Sequence, residues 1–114
     1  MIDLWSKGLM DQEEIKAITE YIVRLYHPDK IILFGSWARN EANKQSDIDL
    51  LVISDREKHL PRYKRGLDVR LQLSRFKTPK DILFYTHEDV ERWRGVPHSF
   101  INQVLGEGQV LYEQ

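Results

Sequence analysis

Asp47, Asp49 and Asp81 each stand at the opening of an apolar run, Ile48 to Ile53 in one case and Ile82 to Tyr85 in the other. If these runs are strands, side chains alternate between faces, and Asp47 and Asp49 project from one face roughly 7 Å apart. An unpaired carboxylate removed from water is costly, and two on one face also repel each other. Cations would neutralise them. Two magnesium ions about 4 Å apart, bridged by carboxylates, form the arrangement that clamps phosphates during in-line displacement. Asp81 supplies a third carboxylate if its strand lies beside the Asp49 strand and parallel to it. Asp47, after Lys44-Gln45-Ser46, and Asp81, after Thr78-Pro79-Lys80, also read as plain turn residues. Asp49 lies inside its run, between Ile48 and Leu50, and has no such reading.

Gly35-Ser36 follows the apolar run Ile31-Ile32-Leu33-Phe34 directly. Glycine there lets a ligand approach the backbone, and the turn beyond offers free N–H groups and the Ser36 hydroxyl to phosphate. An ordinary strand-to-helix turn uses the same residues. Ser36 as a nucleophile is disfavoured, because its neighbours do not form G-x-S-x-G. Neither a Walker A loop nor G-x-G-x-x-G is present. Arg39, about one helical turn further on, suits either a phosphate contact or a structural salt bridge. His27, His59, His87 and His98 show no i, i+4 pairing, which argues against zinc.

The elements that must position these residues follow from periodicity and breakers. Asp11 and Glu14 read as a capping box before a helix whose apolar face is Ile15, Ile18, Ile22 and Leu25, ended by His27-Pro28. Strands are predicted over 30–34, 47–53 and 81–85, with the second apolar on both faces and so central. A short helix is predicted over 37–43. A long one is marked by Leu60, Tyr63, Leu67 and Leu71, with Gly66 as an interruption. Thr86 and Asp89 cap a helix over 87–94, and a last helix over 98–105 leads through Gly106 and Gly108 to a strand at Val110-Leu111-Tyr112. Trp93, Tyr63 and Phe76 read as core rather than as a stacking platform.

The 114 residues suit one domain, 1–114, without linker or repeat. Apolar and charged fractions of 41% and 31% describe an ordinary globular protein. The apolar runs are too short to span a bilayer, so no membrane partner is expected. Met1–Trp5 carries an early acid and no basic stretch, which predicts no secretory leader. The absence of Cys excludes disulfides and thiolate metal sites and fits the cytoplasm. A net charge of −1 argues against a dedicated nucleic-acid binder. The middle of the chain, from Arg56 to Lys80, is nevertheless basic, a solvated face or one that attracts an NTP or a nucleic-acid acceptor.

Gly35-Ser36-Trp37-Ala38-Arg39 followed by Ser46-Asp47-Ile48-Asp49-Leu50 resembles the signature of the DNA polymerase beta-like nucleotidyltransferases, and within them the minimal nucleotidyltransferases. The resemblance covers most of the chain, including the Asp81 strand and the segment from Gly106 to Tyr112. It implies an α/β (α+β) nucleotidyltransferase fold, a small mixed sheet with helices packed against it. It also implies transfer of a nucleoside monophosphate, AMP from ATP foremost, to an acceptor hydroxyl with release of pyrophosphate. Gly35 and Ser36 would hold the triphosphate, with Arg39 beside them. Asp47, Asp49 and Asp81 would be the catalytic and metal-binding acids, holding two Mg2+ ions. For Gly35 and Asp47 to meet, their strands must be antiparallel, with the Asp81 strand parallel to that of Asp47. Asn40 stands where such proteins often have glycine, which bears on the local turn. The short chain implies a separate helical partner, a substrate-binding subunit or a HEPN-like protein. Two other roles stay open: an antitoxin that masks or AMPylates such a partner in a toxin–antitoxin pair, and a nucleotide sensor without turnover.

Overall fold

The computed structural model describes residues 10–43 and 46–114, and of Met10 and Asp11 the backbone only. The readings made on Met1–Trp5, on the Asp11 side chain as a cap and on Lys44-Gln45 lie outside the described residues. Helix α1 (Met10–Tyr26) buries Ile15, Ile18, Ile22 and Tyr26 along one stripe, with Leu25 half-buried beside it. Glu14 accepts a hydrogen bond from the Thr78 hydroxyl. The helix ends at His27, whose φ of 52° and N–H bond to the Val23 carbonyl (3.0 Å) make a left-handed cap ahead of Pro28.

The strands β1 (Lys30–Phe34), β2 (Ile48–Ile53), β3 (Lys80–Tyr85) and β4 (Gln109–Glu113) form one sheet in the order β3-β2-β1-β4. β1 runs antiparallel to β2 and β4, while β2 and β3 are parallel. Both orientations are those expected from the sequence, and β2 is an inner strand as its apolar faces predicted. The β2-to-β3 crossover carries helix α2 (Leu67–Leu73). Helices α3 (His87–Trp93) and α4 (Phe100–Glu107) follow β3.

Alternation along the strands divides the core into two layers. Ile31, Leu33, Leu50, Val52, Ile82 and Phe84 face α1 and α2. Ile32, Leu51, Ile53 and Tyr85 face Val90 of α3 and Ile101 and Val104 of α4. Asp49 and Asp81 share the parity of Leu51 and Tyr85 and therefore project on the α3–α4 side. The Thr86–Asp89 capping box forms as predicted, with Asp89 N–H bonding the Thr86 hydroxyl and the Asp89 carboxylate accepting from Thr86 N–H. Among the described residues, no helix is long and apolar enough to cross a membrane.

Four expectations need correction. The long helix through Leu60 and Leu71 is broken: a 3-10 turn spans Arg62–Lys64, and α2 starts only after Gly66. Gly66 has φ 69°, and a Cβ there would enter the Phe84 ring. Its left-handed backbone resets the helical phase, so Val69 and Leu73 face inward while Tyr63, Leu67 and Leu71 lie 76%, 51% and 71% exposed. Residues 37–43 form no helix. One turn closes from Gly35, with Asn40 N–H on the Trp37 carbonyl and Glu41 N–H on the Ser36 carbonyl, and Asn40 at φ 63°. That is a Schellman closure, and its left-handed residue explains why glycine suits position 40. α4 begins after Ser99, because His98 is left-handed (φ 66°) and Ser99 accepts from Asn102 N–H. Trp93, like Tyr63, is surface rather than core, whereas Phe76 is half-buried against Tyr21.

Candidate active site

The registers bring the predicted residues to one edge of the sheet. Asp49 lies opposite Phe34 on one side and opposite Asp81 on the other. Parallel neighbours in register stand about 4.8 Å apart, so Asp49 and Asp81 are adjacent on the same face. Ile48 N–H bonds the Pro79 carbonyl at 2.9 Å, which ties the starts of β2 and β3 together. Asp47 follows on the same parity, one step before β2. Asp47 and Asp81 are exposed and Asp49 is half-buried.

Gly35 closes the site from the β1 side. It has φ 75°, and a Cβ on it would run into the Asp49 carboxylate. Glycine is thus required both by its backbone and by the acid packed on it. In the turn that follows, Arg39 N–H bonds the Gly35 carbonyl at 3.1 Å. The N–H groups of Ser36, Trp37 and Ala38 have no protein acceptor among the described residues. Neither does the Ser36 hydroxyl. Successive free N–H groups beside a glycine suit phosphate oxygens.

The electrostatics centre on Asp49. Burial first, then the charges of Asp81 and Asp47, push its carboxyl up to about 6, against a smaller opposite pull from Arg39. Repulsion among the three acids is therefore felt most by the buried one. Hard carboxylate oxygens in mutual repulsion are the donor set for a divalent cation such as magnesium. As the side chains stand, no group of three His, Asp or Glu among the described residues encloses a metal site. A cation would have to draw the exposed Asp47 and Asp81 carboxylates inward.

Arg39 does not point its charge freely at the acids. Its guanidinium bonds Glu41 at 2.9 Å and Glu107 of α4 at 3.1 Å, and these partners raise its pKa further. Gln109 Nε2 bonds the Ala38 carbonyl at 3.2 Å. The turn is thus pinned by the end of α4 and the start of β4. Sequence reading missed Glu107 and Gln109, which lie some seventy residues from the turn. It also missed Phe34 and Phe100, whose rings meet edge-on at 5.4 Å beside the acids. Only the adjacency of Phe34 to Gly35 could have signalled that wall.

Comparison with known proteins gives a family and a fold. Residues 16–114 match the family model described as Polymerase beta, Nucleotidyltransferase. A candidate protein adenylyltransferase of Methanocaldococcus jannaschii is 34% identical over 104 residues, covering 87% of this chain and 98% of that one. A second such protein from the same organism is 31% identical over 80 residues, covering 70% and 75%. The solved structure of a candidate nucleotidyltransferase from Sulfolobus solfataricus superposes with a TM-score of 0.59 at 20% identity, covering 88% of this chain and 78% of that one. A toxin–antitoxin structure with AMP-PNP gives 0.56 at 17% identity, covering 87% and 73%. These two likenesses are of fold.

Proposed function

This chain belongs to the polymerase beta nucleotidyltransferase family, and from that premise we propose that residues 1–114 form a single catalytic domain transferring AMP from ATP to a protein hydroxyl. Nucleotidyl transfer is the family's chemistry, and divalent metal ions are its usual cofactors. Adenylyl as the group and protein as the acceptor are supported by the names of the two Methanocaldococcus relatives. One observation carries the reading: a half-buried Asp49, in register with Asp81 and packed on Gly35, whose carboxyl is pushed up to about 6. An acid left in that state by its neighbours is poised to exchange its proton for a cation.

We assign magnesium, as two ions, to Asp47, Asp49 and Asp81. Held by these three carboxylates, magnesium would supply positive charge against that of the triphosphate. The N–H groups of Ser36, Trp37 and Ala38 and the Ser36 hydroxyl hold phosphate oxygens, and Gly35 leaves room for them. Arg39 adds positive charge at the edge of that cradle while Glu41 and Glu107 fix its place. Asp81 takes the proton of the acceptor hydroxyl as its oxygen bonds to the α-phosphorus. The bond from that phosphorus to the bridging oxygen breaks, and its electron pair leaves with pyrophosphate.

A separate helical protein, a substrate-binding or HEPN-like subunit, presents the acceptor, and both work in the cytoplasm. The toxin–antitoxin likeness favours a second reading, in which the chain masks a toxic partner by binding it. One experiment separates the two. The tagged chain and its Asp47→Asn/Asp49→Asn variant are incubated in host lysate with magnesium and ATP labelled at the α-phosphate. Label on a defined protein, absent with the variant, is expected. No label with either chain, while the variant still neutralises the partner, favours the masking module.

A further inference from the structure

Residues 56–80 hold nine of the chain's 17 Lys and Arg but only two of its 18 Asp and Glu. A chain of net charge −1 thus sets a cationic segment against an acidic remainder. Among the described residues, only Arg65 of those nine meets a carboxylate, that of Asp89 at 3.0 Å. Elsewhere Lys30, Arg39, Arg92 and Arg94 all have carboxylate partners.

Three of them, Arg70, Lys77 and Lys80, line a cleft of about 350 Å³ between α2 and the start of β3, with Asp81 on its rim. Arg70 lies over the Phe84 ring, and its Nε is buried without a hydrogen-bond partner. Lys80 Nζ bonds the Phe76 carbonyl at 2.9 Å and lies within reach of the charge of Glu14. A partly buried guanidinium with an unpartnered N–H is unfavourable, and an incoming anion relieves it. The cations of this cleft suit carboxylates, and with a protein as the proposed acceptor the matching ligand is an acidic protein segment.

We propose that this cleft, on the α2 side of the edge strand β3, takes a carboxylate-bearing segment of the acceptor protein, which passes round the start of β3 to bring the hydroxyl to Asp81 on the other face. The proposal rests on the reading of Asp81 as the acid that serves the acceptor. Arginine binds carboxylate in a bidentate fork, and the lysines add charge that salt screens.

The test uses two fluorescent peptides with one tyrosine and one serine each, flanked by Glu in the first and Gln in the second. Their binding to the full chain is followed by anisotropy, with no turnover needed. The Glu peptide is expected to bind about tenfold more tightly than the Gln peptide, an advantage reduced by salt. Lys77→Gln, at an exposed position, and Arg70→Gln should each shrink that advantage, while Arg70→Lys restores part of it. Equal binding of the two peptides overturns the proposal, as does displacement of the Glu peptide by a single-stranded oligonucleotide of equal charge at lower concentration. Selective binding without AMP transfer to any acceptor would sink the transfer reading and leave the cleft standing. AMP transfer to both peptides with equal KM would do the reverse.

Discussion

Asp49 and Asp89 are two half-buried aspartates near opposite ends of the β2–β3 pair, and their environments push them in opposite directions. Burial raises both. At Asp89 that effect is more than offset by the Thr86 backbone N–H, the Arg65 guanidinium and the Thr86 hydroxyl, so the carboxyl ends below its usual value. Arg65 itself is buried and also bonds the Leu60 and Phe84 carbonyls. At Asp49 the neighbours are Asp81, Asp47 and the backbone of Gly35, and the carboxyl rises to about 6. One acid is completed by the fold and holds it together. The other has no hydrogen-bonded partner among the described residues, and its neighbours are mostly further acids.

Exchanging each acid for its amide should sharpen that contrast most. Asp49→Asn is expected to lower AMP transfer by roughly a thousandfold or more, because a transition-state cation ligand is lost. The same change should stabilise the metal-free chain by about 1 to 2 kcal/mol in urea unfolding, the linkage value being reduced by solvent around a half-open carboxyl. Asp89→Asn should destabilise by about 2 kcal/mol, through the lost cap and an uncompensated Arg65, with transfer per folded molecule retained. Destabilisation by both amides would break the comparison.

Gly35→Ala tests whether the backbone and the acid form one unit. Left-handed φ costs alanine roughly 1 to 2 kcal/mol, and the new methyl displaces the Asp49 carboxylate. Transfer should fall at least about tenfold, beyond any loss of folded protein.

The pH dependence of stability should also split. Asp49 has a folded value above its ordinary 3.8, so its contribution is whole below that value and lost as pH rises through about 6. Asp89 lies below 3.8 when folded, so its contribution is present above that value and lost as pH falls through the folded one. Urea midpoints of the two amide variants, measured against pH without metal, should therefore deviate from wild type with opposite signs. The smallest effect expected is that of Arg39→Gln, a raised KM for ATP with kcat unchanged. An unchanged KM would make Arg39 a tie to Glu41 and Glu107 only.

The parts of this fold written in local chemistry were legible in the sequence. Ile31 to Phe34 and Leu50 to Ile53 are buried strands because they are apolar on both faces, and Thr86 with Asp89 announced its own capping box. The edge where Gly35, Asp49 and Asp81 meet was legible once the strand directions followed from a resemblance. What was not legible depended on backbone handedness or on distance along the chain. Leu67 and Leu71 read as a buried stripe because spacing cannot reveal the left-handed turn at Gly66. The stretch after Gly35 read as a helix because nothing local showed Asn40 closing it after one turn. Glu107, which holds Arg39 from α4, carried no signal at all in sequence.

The central claim is that Asp49 holds the cation on which transfer depends, and a carbon-detected NMR titration of its carboxyl, with and without magnesium, tests it most directly. Without magnesium, the resonance should titrate near 6. With saturating magnesium it should remain that of an ionised carboxylate well below that pH, its proton having been released on binding. A carboxyl that titrates at the same pH in both samples would contradict the account.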